Sequence, residues 1–235
     1  MSIESPAKIV TVFNQKGGVG KTTTACQLAG ELGHMGYDVL LADLDDQRTA
    51  TAWASNMEGQ NFPATAWNGF AYQASTASKL GELSKKFDVI VVDCRPGIDE
   101  KGTWASLLVS DLAIIPTMLS PQASAALPAA KALAKEAWRA GGRRFPAFVL
   151  PVAVPPKSRI NALERAEYEL LQEDEEVPLM MSSLSRAAAI TGSMAYGATA
   201  RLMPNARSAT EEVNALVKEV VSLLKLKKPT PKKGA

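Results

Sequence analysis

A short stretch of glycines, lysines and threonines near the start of the chain could bind a phosphate group. Residues 15–23 read Gln-Lys-Gly-Gly-Val-Gly-Lys-Thr-Thr. Glycines let the backbone curl so that several N–H groups point at one anion, and a helix that follows adds the positive end of its dipole. Lys21 could then reach the outer phosphates of a nucleotide, and the Thr22 hydroxyl could hold Mg²⁺.

The surroundings of this stretch fit a phosphate-binding loop, with one departure from the general pattern. A β-branched run at residues 8–13 precedes it, and apolar residues at helical spacing follow it between Ala25 and Leu32. Strand, glycine-rich turn and helix are the context that such a loop needs. The general pattern has glycine six residues before the lysine, where this chain has Gln15 followed by the additional lysine Lys16. The general pattern is therefore only partly met.

Acidic residues stand at the ends of two apolar runs. Asp43, Asp45 and Asp46 follow the run at residues 39–42, and Asp93 ends a later one. Ligands in open α/β sheets bind beyond the carboxyl ends of the strands, so these carboxylates are expected beside the phosphate loop. A carboxylate at the position of Asp93 is typical of a Walker B residue near Mg²⁺. The alternative for the first three acids is that they cap the next helix.

Strand-like and helix-like segments alternate along most of the chain. This alternation predicts an α/β fold with a predominantly parallel, twisted sheet and helices on both faces. The strand-like runs are continuously apolar, as expected of strands buried on both sides. The predicted strands are 8–13, 38–43, 87–93, 111–116, 145–154 and 177–181, with a weaker one within 61–70. The predicted helices are the one after the phosphate loop, one through Trp53, and 75–86, 123–140, 160–171 and 210–226.

The composition bounds the class of protein. The chain has 235 residues, of which 46% are hydrophobic and 21% charged, as in ordinary soluble globular proteins. We expect one domain at residues 1–226 and a basic, flexible tail at residues 227–235. Five lysines among the last eleven residues leave a net charge of −3 for the rest, so an anionic partner would need a local patch or the tail.

The same composition bears on the compartment. No apolar run reaches about 18 residues, and the first residues lack the pattern of a secretory signal. Cys26 and Cys94 are the only cysteines, and two isolated cysteines fit a reducing compartment better than a disulfide scaffold. The sequence therefore predicts a cytoplasmic protein.

The phosphate-loop stretch carries a family resemblance. Residues 16–23 resemble the deviant Walker A box of the ParA/MinD family of ATPases, and the resemblance extends over roughly residues 8–224. Residues 109–116 with Ser120 and Pro121 are similar to small plasmid ParA proteins, and residues 115–119 to VirC1. The resemblance implies a P-loop NTPase fold with ATP and Mg²⁺ as cofactors. It assigns the nucleotide contacts to Lys16, Gly17, Gly18, Val19, Gly20, Lys21, Thr22 and Thr23.

The resemblance also implies a role for individual residues. Lys16 matches the family's signature lysine, which reaches across an ATP-bound dimer to the partner's phosphates. Asp45 matches the aspartate that orients the attacking water. The implied catalytic residues are Lys16, Lys21 and Asp45, and the implied Mg²⁺ ligands are Thr22, Asp45 and Asp93.

Two positions depart from the family pattern. The acidic box of the family reads Asp-x-Asp-Pro-Gln, and this chain has Asp46 in place of the proline. Many members continue the Walker B strand with Cys-Pro-Pro, whereas here Cys94 is followed by Arg95 and Pro96. We predict no role for Arg95 beyond that of a surface residue. A backbone N–H near Gly97 could sense the outermost phosphate.

The implied function is that of a partition or positioning ATPase. ATP would drive a homodimer that binds DNA without sequence preference through its phosphates. A ParB-like or cargo-adaptor activator would then trigger hydrolysis and release, so the cytoplasmic protein would be nucleoid-associated while ATP-bound. The candidate DNA contacts are Lys157, Arg159, Arg186 and Arg201, helped by the basic tail. Plasmid, chromosome, protein-cluster and transfer-DNA cargoes all remain open.

Three other readings compete with this one. A VirC1-like ATPase would act in DNA transfer. A MinD-like, membrane-cycling regulator would need an amphipathic C-terminal helix, and an apolar stripe at residues 213–224 could serve, although such a stripe usually packs on the sheet. Membrane is therefore not the expected partner. An iron–sulfur carrier would need clustered cysteines. The adenine contacts are expected within residues 154–156 and 203–205.

Overall fold

A single sheet of parallel strands forms the centre of the molecule. The computed structural model describes residues 6–56, 62–97, 100–156, 158–172 and 174–229. The strands are β1 (Lys8–Val12), β2 (Val39–Asp43), β3 (Thr65–Asn68), β4 (Val89–Asp93), β5 (Leu112–Met118) and β6 (Ala147–Val152). Within the described residues they form one six-stranded, all-parallel sheet in the order β3-β2-β4-β1-β5-β6. The predicted α/β fold with a parallel sheet is confirmed.

Helices connect the strands and cover the sheet. They are α1 (Lys21–His34), α2 (Thr49–Ser55), α3 (Thr76–Leu83), α4 (Lys101–Leu108), α5 (Pro121–Ser124), α6 (Leu127–Gly141), α7 (Ala162–Leu171), α8 (Ala188–Gly192) and α9 (Arg207–Leu224). Short 3₁₀ turns occur at Phe70–Ser75, Ser193–Tyr196 and Ala200–Leu202.

The alternation of side chains along the strands explains why both faces are covered. Val10 and Val12 of β1 belong to the core under α1, α2 and α9, whereas Ile9 and the following Phe13 belong to the core under α3, α4 and α6. Successive residues of a strand point to opposite faces, and burying one large aliphatic side chain contributes about 1.5–3 kcal/mol. The two helix layers are therefore held by two separate apolar cores.

The register of the central strands places the site. Val12 of β1 pairs with Asp93 of β4, and Asp93 pairs with Asp43 of β2. Three strands thus end at one level, where the β1–α1 loop crosses the sheet edge. In open α/β sheets, ligands bind beyond the carboxyl ends of the strands, which is the edge described here.

The structure differs from the sequence prediction in four elements. Helices α4 and α8 were not predicted. The predicted helix at 123–140 is two helices, α5 and α6, with Pro128 in the first turn of α6, where a missing N–H costs nothing. The predicted strand at 177–181 is wrong, because only isolated bridges join Leu179 and Ser185 to the β6 edge. Pro151 of β6 has no N–H to continue the ladder.

Candidate active site

The loop between β1 and α1 is shaped by its glycines. Gly18 and Gly20 have φ angles of +73° and +81°, a left-handed conformation that glycine adopts without strain. Gly20 immediately precedes α1, and no side chain caps the N-terminus of this helix. The first N–H groups of a helix have no partner within it, so here they are available to an anion.

Lys21 is the buried cation of the loop. Its side chain crosses the loop, and Nζ donates to the carbonyl oxygen of Lys16 at 2.9 Å. Burial lowers its pKa, while the nearby charge of Asp93 raises it. Among the described residues the Lys16 side chain forms no ion pair or hydrogen bond, although its N–H donates to Asn14 Oδ1 at 3.0 Å. One lysine therefore points into the loop, and the other is unpartnered in the described part of the chain.

Asp93 is a fully buried carboxylate without a normal hydrogen-bond partner. Neither of its oxygens is bonded to another described group. Burial raises its pKa to about 7, although the neighbouring Thr22 hydroxyl and the Lys21 ammonium lower it. An unsatisfied buried carboxylate costs free energy unless a cation neutralises it. The Thr22 hydroxyl and Asp93 therefore fit Mg²⁺, which binds through few protein ligands and keeps its other positions for water and phosphate.

The acidic box contains two different kinds of carboxylate. Asp43 is buried, and its oxygens accept from the backbone N–H of Asp45 at 3.0 Å and of Thr51 at 2.8 Å. It therefore fixes the loop to the first turn of α2, and the capping alternative holds for this residue. Asp45 lines the cavity, and its Oδ1 accepts from Gln47 N–H at 3.0 Å. Burial and the adjacent Asp46 raise the pKa of Asp45.

One cavity joins the loop, Asp45 and a distant wall. It has a volume of about 380 Å³. Its polar side is formed by the phosphate loop, the start of α1 and Asp45. Its other side is lined by Met118, Val152, Ala153, Leu184, Ser185, Ile190, Thr191 and Met194. The two segments predicted to contact adenine, residues 154–156 and 203–205, do not line the cavity. The side opposite the phosphate loop comes instead from β5, the end of β6 and residues 184–194.

Comparisons with known proteins agree with this arrangement. A family model described as an AAA domain matches residues 7–75. The maintenance of carboxysome distribution protein A of Halothiobacillus neapolitanus is 26% identical over 215 residues, which cover 90% of this chain and 95% of that protein. The protein of the same name from Gloeobacter kilaueensis is 36% identical over 117 residues, 48% of this chain and 50% of that protein. That second match thus spans half of the relative's length.

The structural comparison and a further relative extend the match. The solved structure of the Cyanothece McdA(D38A)–ATP complex has a TM-score of 0.76, with 16% identity over 96% of this chain and 99% of that chain. Protein virC1 of Rhizobium rhizogenes is 34% identical over 122 residues, 48% of this chain and 50% of that protein. The chain is thus similar to ATPases of the ParA/MinD family over most of its length. The resemblance predicted from the sequence is confirmed, and the predicted ATPase class agrees with these matches.

The basic residues predicted to contact DNA are placed differently from one another. Arg159 and Arg186 are exposed, and their backbone N–H groups donate to Pro156 and Val154 beyond the end of β6. Arg201 instead donates three hydrogen bonds to the buried carboxylate of Glu31, the shortest at 2.6 Å. Lys157 and the tail from residue 230 lie outside the described residues.

Two supporting residues of this site were not predicted from the sequence. Asn14 is buried and donates to the carbonyl oxygen of Pro116 at 2.8 Å, which ties the start of the phosphate loop to β5. Gln27 of α1 donates to Ser193 Oγ at 2.7 Å and accepts from Ala200 N–H at 2.9 Å, which holds the segment behind the cavity wall. An asparagine directly after a β-branched run is a signal for the first, whereas nothing local indicates the second.

Proposed function

We propose that this protein is a partition or positioning ATPase that dimerises on ATP, binds DNA without sequence preference, and is released when a partner stimulates hydrolysis. The observation that carries the proposal is the convergence of Lys21, the unsatisfied Asp93 carboxylate and Asp45 at one sheet edge. A cation-seeking carboxylate, a phosphate-seeking lysine and a carboxylate at the cavity are the parts that phosphoryl transfer to water requires.

Each group of the site has a separate task. The N–H groups of the loop and of the first turn of α1 bind the phosphates, and Lys21 leaves the Lys16 carbonyl to contact them. Thr22 and Asp93 would hold Mg²⁺, which neutralises charge on the phosphates. Asp45 orients the attacking water. Lys16 of one protomer completes the site of its partner, which is why ATP would favour the dimer.

Exposed arginines supply the proposed DNA contacts. Arg159 and Arg186 lie on the side of the molecule where β6 ends, the same end of the sheet as the cavity. A dimer doubles each basic group, and phosphate contacts gain affinity from every counterion they release. DNA binding would therefore depend on the nucleotide that controls dimerisation.

Two of the competing hypotheses, the membrane-cycling regulator and the iron–sulfur carrier, have little support. The apolar stripe of α9 is buried against the sheet at Val213, Leu216 and Val220, so it is not available to a membrane. No helix in the described part of the chain is long and apolar enough to span one. Burial raises the pKa of both cysteine thiols, that of Cys94 to about 12, which disfavours the thiolates that an iron–sulfur cluster needs.

Nucleotide-dependent DNA binding tests the proposal. The protein is mixed with duplexes of unrelated sequence at two salt concentrations, without nucleotide, with Mg²⁺·ADP and with Mg²⁺·ATP, and light scattering reports the mass. We expect a dimer and a gel shift with ATP alone, and affinity that falls steeply with salt. DNA binding that depends on neither nucleotide nor salt concentration would contradict the proposal. Binding to lipid vesicles with ATP would instead favour the membrane-cycling reading.

A further inference from the structure

An arginine and an aspartate connect the two acidic loops of the site. Arg95 follows the Walker B strand, and Asp46 lies in the loop after β2. Arg95 Nη2 is 3.5 Å from Asp46 Oδ2, and both side chains are about one-third exposed, at 37% and 35%. The contact therefore bridges two loops that are almost 50 residues apart in sequence and that end neighbouring strands.

Arg95 has two further contacts that define its position. Its Nε lies 3.8 Å from Glu100 Oε1, in the residue that precedes α4. Its guanidinium also lies over the ring of Phe70, 5.9 Å from the centroid. A planar guanidinium can serve a carboxylate and an aromatic face together. Three separate segments thus meet at this one side chain.

The two connected loops both reach the cavity. Asp45, next to Asp46, lines it, and so does Pro96, next to Arg95. Beyond Pro96, the N–H of Gly97 donates to the carbonyl oxygen of Gln15 at the start of the phosphate loop, at 3.0 Å. The water-orienting loop and the loop that touches the phosphate loop are therefore joined through Arg95.

We propose that Arg95 and Asp46 form a clamp that positions Asp45 and the 94–97 loop for hydrolysis. They are positioning residues, since neither is placed on the reacting atoms. Partly exposed ion pairs contribute little to the free energy of unfolding, so the clamp acts on geometry and not on folding. A small displacement of a positioned group costs far more in rate than in stability. The proposal rests on the proposed ATPase function.

Three variants test the clamp: Arg95→Gln, Asp46→Asn and the double variant. The rate constant of a single turnover is measured with enzyme in excess over Mg²⁺·ATP, and ATP affinity with a fluorescent analogue. We expect each single change to slow hydrolysis about tenfold, with ATP affinity changed less than about twofold. The double variant should be no slower than the slower single variant, because both changes break one interaction. Arg95→Lys keeps the charge without the planar guanidinium, so it should recover the rate only in part.

A matched control separates the clamp from a general loss of surface charge. Arg207 pairs with Glu211 on the exposed surface of α9, far along the chain from the site, so Arg207→Gln should leave the rate unchanged. Unchanged rates in Arg95→Gln and Asp46→Asn, or losses that multiply in the double variant, would overturn the clamp alone. A parent protein that hydrolyses ATP no faster than Lys21→Ala would overturn the proposed function, and the clamp with it.

Discussion

The two sides of the proposed nucleotide cavity are built in opposite ways. The phosphate side comes from one continuous stretch between Asn14 and Thr24, together with carboxylates at strand ends that the register places side by side. The opposite wall is assembled from several distant segments. Its supporting bonds include Gln27 to Ser193 and Ser185 N–H to Glu212, at 2.7 and 2.8 Å. Phosphate chemistry is thus locally encoded, whereas the wall depends on the finished fold.

The largest effect is expected from Lys21→Ala. The change removes the buried cation that is poised to contact the phosphates, and charged hydrogen bonds contribute about 1.5–3 kcal/mol each, so ATP affinity should fall roughly 10–100-fold. Isothermal titration measures it. The matched control is Lys79→Ala, which removes a surface lysine paired with Glu82 and should leave affinity unchanged. A Lys21→Ala variant that binds ATP like the parent would show that the phosphate side is wrongly assigned.

Lys16→Ala and Asp45→Ala should separate two steps that follow binding. Lys16→Ala keeps Lys21 and should bind ATP, but it should lose hydrolysis and weaken the ATP dimer. Asp45→Ala should bind ATP and accumulate as the dimer, because only the water is misplaced. We expect turnover to fall at least tenfold in both, with opposite changes of mass in light scattering. If both variants show the same mass and turnover, the two residues do not have separate roles.

Asp93→Asn tests whether the buried carboxylate makes the free energy of unfolding depend on pH. The folded-state pKa is about 7, above the ordinary value of 3.8, so the native state holds the proton more tightly and the free energy of unfolding falls as pH rises from about 4 to about 7. The uncharged variant lacks this loss. Without nucleotide, its Tm should exceed that of the parent at pH 8 by roughly 8–16 °C, for about 4 kcal/mol. The two should converge near pH 4.

Mg²⁺ and a surface variant provide the controls for that experiment. Mg²⁺ with ADP should raise the Tm of the parent more than that of Asp93→Asn, because only the parent has the carboxylate that a cation can neutralise. Glu211→Gln, on the exposed face of α9, should follow the parent at every pH. A variant without higher stability at pH 8 would mean that Asp93 is already compensated in the nucleotide-free protein.

The contrast between the two sides also explains what the sequence could predict. The phosphate loop, Asp93 and the strands were predictable because each depends on residue types within one short segment. Helix α4 was missed because no side chain caps its first residues and it has only eight residues. The strand at 177–181 failed because Pro151 interrupts the pairing, and the partner strand is not visible from residues 177–181 alone. The roles of Gln27 and Arg95 required knowledge of residues far away in the chain.

Gln27→Leu tests the wall. The change keeps the size of a fully buried side chain but leaves Ala200 N–H without its acceptor and removes the donor to Ser193 Oγ, which keeps its own bond to the Ile190 carbonyl oxygen. Unsatisfied buried groups cost about 1–3 kcal/mol, so Tm should fall by roughly 3–8 °C. ATP affinity should fall less than in Lys21→Ala, because the phosphate contacts remain. Equal loss of affinity in the two variants would break the distinction between the two sides.

The smallest effects are expected at the surface arginines, and they should divide the predicted DNA contacts. Arg186 is exposed beside the end of β6, so Arg186→Glu should weaken ATP-dependent DNA binding roughly tenfold and reduce its salt dependence, with Tm unchanged. Arg201 compensates the buried Glu31, so Arg201→Gln should lower Tm by roughly 2–6 °C, for about 1–2 kcal/mol, with little effect on DNA affinity. Gel shifts and thermal unfolding on both variants give the comparison. If Arg201→Gln weakens DNA binding as much as Arg186→Glu does, the Glu31 ion pair must open on DNA, and the wall segment would join the DNA-binding surface.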